Sequence, residues 1–417
     1  MPRHICLRAA FGLAFPFMLA LGALSAAPSS AEPVVKLGVD VLKESGFEAL
    51  RGQRVGLVAN PASVAGDLTS TVDVLHRGAE AHGYTMVALF GPEHGVYGDE
   101  YAGDKVDDRT DRRTGLPVRS LYGATRKPTA EMLDDIDTLV FDLQDIGSRS
   151  YTYISTMQYC LEACAEQGKR FVVLDRPNPL GGLRIEGPGV TEKFRSFISL
   201  LDVPYVHGMT MGELAQLVRA QKTPDYDGLV VIAMQGLTRD MTWQDTGLAW
   251  TPTSPHIPTA ASAFGYAATG VIGELGLVSN GVGYTLPFEI VGAPDVDPDD
   301  LTDAMNAQDL AGIQFRAARF KPFYATNQGE ACGGVQVHFE PDAQANLFEV
   351  NFRLAEALDF RKRLRGHERV SGFDKAVGSD QARRWLGAGR DMAPLFERWR
   401  AEAEAFRQAR EPYLLYD

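Results

Sequence analysis

Short apolar runs alternate with amphipathic stretches through the first half of the chain, which predicts strands separated by helices. The predicted strands cover residues 54–60, 85–90, 138–143, 170–174 and 228–234. The predicted helices cover residues 69–83, 151–167 and 211–220, with a short helix capped by Thr129. Strands that are apolar throughout are typical of a parallel sheet covered on both faces. The pattern therefore predicts a Rossmann-like α/β domain over residues 34–235.

The pattern changes at Gly236, where a loop-rich stretch with tryptophans, prolines and glycines begins. Strands are then predicted at residues 315–320 and 334–339, followed by helices at residues 347–358 and 391–408. We therefore expect a smaller α+β domain over residues 236–417.

The first 31 residues differ in kind from the rest of the chain. Arg3, His4 and Arg8 form a short positive region, residues 9–24 are largely apolar, and small residues end at Ala31. This pattern predicts a secretory signal peptide over residues 1–31, and an uncleaved N-terminal helix is the alternative. No later segment has the roughly 20 apolar residues of a spanning helix. We expect an exported protein, periplasmic or secreted, without a membrane anchor.

The composition narrows the class of ligand. Lys and Arg number 41 and Asp and Glu 54 in the 417 residues, a net charge of −13 that argues against a nucleic-acid partner. The chain contains no GxGxxG or P-loop at a strand end and no HExxH, GxSxG or ladder of calcium ligands. We expect neither a cofactor nor a metal, and the composition carries no signal for an oligomeric state.

Candidate chemistry lies just beyond the predicted strands, since open parallel sheets bind ligands at the carboxyl ends of their strands. Glu93 and His94 follow the second strand, between Pro92 and Gly95. A carboxyl group beside apolar residues such as Phe90 is a candidate general acid, and His94 is a candidate to orient it or to bind substrate. The alternative is that Glu93 and His94 cap the following turn.

Two neighbouring strand ends and one later loop carry further polar side chains. These candidates are Asp142, Gln144, Asp145, Arg149, Arg176, Asn178 and His207. A structural ion pair between Asp145 and Arg149 is an equally good interpretation, and a salt bridge within the loop that starts at Asp175 is another. Thr210 and Glu213 have the spacing of a capping box, which favours a structural role for both.

At these residues the sequence resembles the exo-β-N-acetylmuramidases of the NamZ type, bacterial glycoside hydrolases. The resemblance follows the chain in order from residue 89 to residue 339. The matching segments are LFGPEHG (89–95), TGLPVRSLYGATRKPTAEML (114–133), VFDLQDIGSRSYTYISTM (140–157), FVVLDRPNPLGG (171–182), EGPGV (186–190), VHGMTMGELA (206–215), PTSPHIPT (252–259), PFEIVGAP (287–294) and CGGVQVHF (332–339).

The resemblance implies a Rossmann-like catalytic domain followed by a smaller α+β domain that helps to shape the cleft. It implies release of terminal N-acetylmuramic acid from peptide-free peptidoglycan fragments, with Glu93 as the catalytic residue. The second catalytic role, that of nucleophile or base, then falls to Asp142, to Asp145 or to the substrate's own acetamido oxygen. Retention and inversion of the anomeric configuration therefore both stay open. His94, Gln144, Arg149, Arg176, Asn178 and His207 are the implied candidates to hold the saccharide.

The sequence departs from the family pattern at positions that bear on sugar recognition. Tyr97 and Val282 stand where the family commonly has arginine, and His256 stands where it has asparagine. Arginine is the natural bidentate partner of a carboxylate, and the lactyl group of muramic acid carries one. An exo-glycosidase for another amino sugar and a non-catalytic wall-fragment binding protein are therefore the alternative functions.

Overall fold

Seven strands form the larger of two sheets in the structure, a computed structural model that describes residues 35–101, 103–105, 107–340 and 342–417. The spatial order is β3-β4-β2-β1-β5-β6-β7, with β3 antiparallel to β4 and every other pair parallel. The strands are β1 Arg54–Ala59, β2 Thr85–Gly91, β3 Arg109–Thr110, β4 Pro117–Ser120, β5 Thr138–Asp142, β6 Arg170–Leu174 and β7 Leu229–Ile232.

A smaller antiparallel sheet follows, with the order β8-β10-β9. Its strands are β8 Ile290–Ala293, β9 Ile313–Phe320 and β10 Cys332–Phe339. The helices of the described residues are α1 Gly38–Glu44, α2 Thr71–His82, α3 Ala130–Leu133, α4 Tyr153–Glu166, α5 Met211–Lys222, α6 Ala261–Gly273, α7 Pro298–Asn306, α8 Leu347–Ala357, α9 Phe360–Arg363, α10 Ser371–Val377, α11 Gln381–Ala388 and α12 Ala393–Ala409.

The predicted fold class is confirmed. The five predicted strands of the first half are β1, β2, β5, β6 and β7, and they pair in parallel. Helix α6 was expected to be part of a loop-rich stretch. It is buried on most of its surface, so its sequence lacks the polar face that marks an amphipathic helix.

The parallel sheet separates two hydrophobic clusters because side chains alternate between its faces. Leu139 and Phe141 of β5 point into one cluster together with α4, α6 and α8, whereas Val140 points into the other with α1 and α2. The first cluster runs without a break from the large sheet to helices of the second half of the chain. This shared core fixes the loops of both halves around the strand ends.

Two sequence predictions about organisation stay predictions. The signal peptide expected for residues 1–31 lies outside the described residues. The domain boundary expected at residue 236 is likewise untested. Among the described residues, no helix has both the length and the apolar character needed to cross a membrane.

Candidate active site

A cavity of about 490 Å³ opens beyond the carboxyl end of β2 and beside the start of α4. Its volume falls in the roughly 300–1,000 Å³ range of small-ligand sites. Both halves of the chain contribute to its lining, which comprises Glu93, His94, Gly103, Ser150, Tyr151, Thr152, Tyr153, Ile198, Ser254, His256, Ile257, Tyr266, Gly270, Gly273, Glu274, Asn280, Val282, Phe288, Ala325, Thr326 and Arg369.

A tight turn delivers Glu93 to this cavity. The amide of Gly95 donates to the carbonyl of Pro92 at 2.9 Å, which places Glu93 and His94 at the two central positions. His94 has a φ of 69°, the left-handed conformation that a type II turn requires at its third residue and that normally favours glycine. A histidine held in this conformation costs on the order of 1 kcal/mol, which is typical of functional sites.

Two hydrogen bonds fix the Glu93 carboxylate. The Gly103 amide donates to Oε1 at 2.9 Å, and the Thr152 hydroxyl donates to Oε2 at 2.7 Å. Glu93 is 8% exposed, although its side chain lines the cavity. These two contacts hold the carboxyl group at a fixed position in the cavity lining.

His94 and His256 form an imidazole pair on the same cavity. Nδ1 of His94 lies 2.9 Å from the carbonyl oxygen of Glu100 and therefore carries a proton. Nε2 of a neutral His94 is then an acceptor. Burial lowers the pKa of His256, with the nearby His94 as a second cause, so the neutral form of His256 is favoured. His256 Nε2 also contacts the hydroxyl of Tyr324.

One face of α6 and the residue that follows it form a wall of the cavity. Tyr266, Gly270, Gly273 and Glu274 share this face at a helical spacing. The two glycines leave space between the ring and the carboxyl group. Burial raises the pKa of Glu274, and the charge of Arg369 acts in the opposite direction.

Asp142 and Arg176 lie outside the cavity lining. The Arg176 guanidinium donates to Asp142 through Nη2 at 2.9 Å and also to the Val64 carbonyl, and both side chains are buried. Gln144 donates to the carbonyls of Asp145 and Pro177. These contacts brace the ends of β5 and β6. Asp142, Arg176 and Gln144, which the sequence analysis selected as site residues, therefore lie behind the cavity and support its loops.

Asn178, Asp145 and His207 are also absent from the lining. Asn178 donates to the Met209 carbonyl. Asp145 accepts from the Gly147 amide at 2.7 Å, and its Oδ2 lies 3.5 Å from Nε2 of the buried His207. All three residues support loops behind the cavity. Their positions therefore give no support to the catalytic and sugar-binding roles predicted from the sequence.

Arg149 differs most from expectation. Its fully buried guanidinium donates to the carbonyls of Pro188, Val203, Ala376 and Val377 at 2.6–2.9 Å. Burial lowers the pKa of Arg149 to about 10. The expected pair with Asp145 does not form, because the donors face backbone carbonyls. Arg149 therefore ties α10 to the loops that precede α5 and does not reach a saccharide.

Sequence reasoning missed several cavity residues, above all Thr152, Tyr266, Glu274 and Arg369. Thr152 lies inside a segment of recognised resemblance, and its position before α4 is the signal that identifies it. Tyr266 lies in the helix that the apolar pattern concealed. No local motif marks Arg369, which only the fold brings to the cavity.

An α/β fold with a cavity of this size, lined by a fixed carboxyl group, histidines and tyrosines, is typical of enzymes that act on small polar ligands. The family comparison is specific. The chain belongs to the exo-β-N-acetylmuramidase NamZ family, with the N-terminal family model matching residues 55–261 and the C-terminal model residues 264–416.

Individual relatives agree with this assignment. The peptidoglycan β-N-acetylmuramidase NamZ of Bacillus subtilis (strain 168) is 40% identical over 405 residues, covering 94% of this chain and 95% of that protein. The crystal structure of a DUF1343 family protein from Bacteroides fragilis NCTC 9343 matches with a TM-score of 0.86 and 43% identity, over 93% of this chain and 100% of the other. A second such protein from this organism matches with a TM-score of 0.73 and 27% identity, over 92% and 99%.

Proposed function

We propose that the chain is an exo-acting glycoside hydrolase that releases terminal β-linked N-acetylmuramic acid from peptide-free peptidoglycan fragments, with Glu93 as general acid. Family membership supports the reaction class. The position of Glu93 carries the assignment of the acid, because the Gly103 amide and the Thr152 hydroxyl aim its carboxyl group at the cavity.

In the proposed reaction, Glu93 gives its proton to the glycosidic oxygen as the bond to the anomeric carbon breaks. The leaving sugar departs as an alcohol, and positive charge develops on the ring carbon and ring oxygen. The carboxylate that remains on Glu93 then accepts a proton from the attacking water. Positioned acid–base catalysis of this kind contributes roughly 10²–10⁴-fold to a rate.

The second catalytic role falls to the substrate's own acetamido oxygen. Asp142 and Asp145 do not line the cavity, so neither is placed to attack the anomeric carbon. Attack by the acetamido oxygen is a recognised route for 2-acetamido sugars. When His94 is neutral and its Nδ1 donates to the Glu100 carbonyl, its Nε2 is suited to receive the acetamido N–H. That hydrogen bond orients the acetamido group and increases the charge on its oxygen.

A cell-wall substrate fits the export predicted from the first 31 residues, and we include a periplasmic or secreted location in the proposal. An exo-glycosidase for another amino sugar is the second candidate. It is favoured by Val282, which lines the cavity at a position where the family commonly has arginine.

The test is incubation with peptide-free glycan chains of defined ends, followed by mass spectrometry of the released sugars. We expect N-acetylmuramic acid, released one residue at a time from the non-reducing end. Glu93→Gln should abolish release, whereas Glu131→Gln, a change at an exposed carboxyl group of α3, should not. Release of N-acetylglucosamine alone would support the second candidate. Binding without release by the unmodified chain would contradict both.

A further inference from the structure

A single guanidinium group lies among the cavity-lining residues that the structure describes, and it belongs to Arg369. This residue follows α9 and lies far along the chain from Glu93. The remaining basic side chains of the lining are imidazoles. The cavity therefore has one permanent cation, and nothing in the proposed chemistry at Glu93 uses it.

The segment that carries Arg369 is held against the end of α6. Nε2 of His367 lies 2.8 Å from the Leu275 carbonyl and 3.1 Å from the carbonyl of Arg369 itself. Gly276 has a φ of 65°, and a Cβ there would lie 3.2 Å from Nη1 of Arg369. The close approach over Gly276 places the guanidinium beside the cavity wall that α6 forms.

The guanidinium has donor capacity to offer. Among the described residues, the Arg369 side chain forms no hydrogen bond and no ion pair, and it is exposed toward solvent. Arg369 acts electrostatically on Glu274 of the lining, and the two side chains form no ion pair. Arg149 shows the contrast, since backbone carbonyls occupy its donors. Because Arg369 lies in the cavity lining with its donors unoccupied, its guanidinium is available to a ligand in the cavity.

Tyr266 and Glu274 lie at the two ends of this wall. They are eight residues apart, which corresponds to about 12 Å along a helix axis. With its anomeric carbon at Glu93, a muramic acid that lies along this wall would direct its 3-O-lactyl arm over Gly270 and Gly273. That arm ends in a carboxylate, for which a guanidinium is the natural bidentate partner.

We propose that Arg369 binds the lactyl carboxylate of the terminal sugar and thereby selects muramic acid over glucosamine. The inference rests on the proposed function, since it names the group that reads the substrate at the same site. Arg369, from the second half of the chain, thus provides the positive charge for the carboxylate. Tyr97 and Val282, which stand where the family commonly has arginine, do not provide it. Tyr97 donates its hydroxyl to Asp111, and Val282 offers the cavity an apolar surface.

The neighbouring Glu274 is a carboxyl group of the lining that interacts electrostatically with Arg369. Desolvation raises the pKa of Glu274, so its ionised form is less favoured at the cavity wall than in water. A bound carboxylate at Arg369 strengthens that preference because like charges at close range disfavour ionisation.

The experiment compares Arg369→Met with Arg365→Met, which removes an exposed guanidinium from the same segment outside the cavity lining. Isothermal titration measures binding of free N-acetylmuramic acid and of N-acetylglucosamine, and chromogenic glycosides of the two sugars report kcat and KM. We expect Arg369→Met to weaken binding of N-acetylmuramic acid by about 10- to 100-fold, the range for loss of a charge-assisted contact, mainly through KM. N-acetylglucosamine should change by less than about 3-fold, and Arg365→Met should match the unmodified chain.

An equal loss for both sugars would assign Arg369 a structural role and overturn the proposal, as would a preference for N-acetylmuramic acid that survives in Arg369→Met. Absence of any such preference in the unmodified chain would overturn it too. Failure of the proposed function has a different signature. The unmodified chain would then bind N-acetylmuramic acid through Arg369 and release no sugar from any glycoside.

Discussion

Replacing Arg149 by methionine separates a structural role from the sugar-binding role that its sequence motif implies. The substitution keeps an unbranched apolar stem and removes the donors to four buried carbonyls, those of Pro188, Val203, Ala376 and Val377. Each carbonyl left without a donor costs about 1 kcal/mol at the lower end of the usual range, so the sum is about 4 kcal/mol. Removal of the buried cation also removes the free-energy cost of its desolvation, which offsets part of this loss of stability. A net loss of about 3 kcal/mol is a large share of the stability of a typical domain.

Urea unfolding followed by tryptophan fluorescence measures this loss, and kcat/KM per folded molecule is measured below the transition. We expect a lower unfolding midpoint for Arg149→Met with KM close to that of the unmodified chain. Arg149→Lys retains the charge but presents three donors to four carbonyls, and it should lie between the two. Unchanged stability together with a strongly raised KM would refute the structural assignment of Arg149.

Two further predictions concern Asp175 and the glycines of α6. Burial raises the pKa of Asp175 from 3.8 to about 6, so its contribution to stability is full below pH 3.8 and is lost as pH rises through about 6. The unfolding free energy of Asp175→Asn should therefore lack this decline with rising pH. Equal pH slopes of the unfolding free energy in the variant and the unmodified chain would contradict the prediction. Gly270→Ala should stabilise α6 by about 0.5–1 kcal/mol, because its Cβ meets only the Tyr266 ring at 3.6 Å. Gly273→Ala should lower the melting temperature because its Cβ overlaps with Asn280, and a gain there would contradict the packing argument.

The parallel sheet was predictable because its strands are apolar over their whole length. The N-terminal cap of α5 was predictable because it is formed by residues close together in the sequence. Thr210 and Glu213 form the expected capping box, in which the Thr210 amide donates to Glu213 at 3.0 Å and Thr210 Oγ1 accepts from the Glu213 amide. Glu93 was found by its place at a strand end, and its side chain lines the cavity.

The same reasoning also selected Asp142, Arg149 and Arg176, which lie outside the cavity lining. Strand ends need polar side chains to satisfy buried loops as well as to bind ligands, and a sequence does not distinguish the two uses. Arg369 was out of reach for a different reason. It meets the cavity only through the shared core that joins the two halves of the chain, a contact without any local pattern.

The central claim, proton donation by Glu93, is tested most directly by varying the leaving group in Glu93→Gln. A leaving group as acidic as dinitrophenol departs without a proton, whereas a sugar alcohol requires one. We predict a loss of roughly 10²–10⁴-fold in kcat/KM for a disaccharide and a far smaller loss in the rate of bond cleavage for the dinitrophenyl glycoside of N-acetylmuramic acid. Equal losses on both substrates, or a disaccharide turned over at the normal rate, would contradict the account.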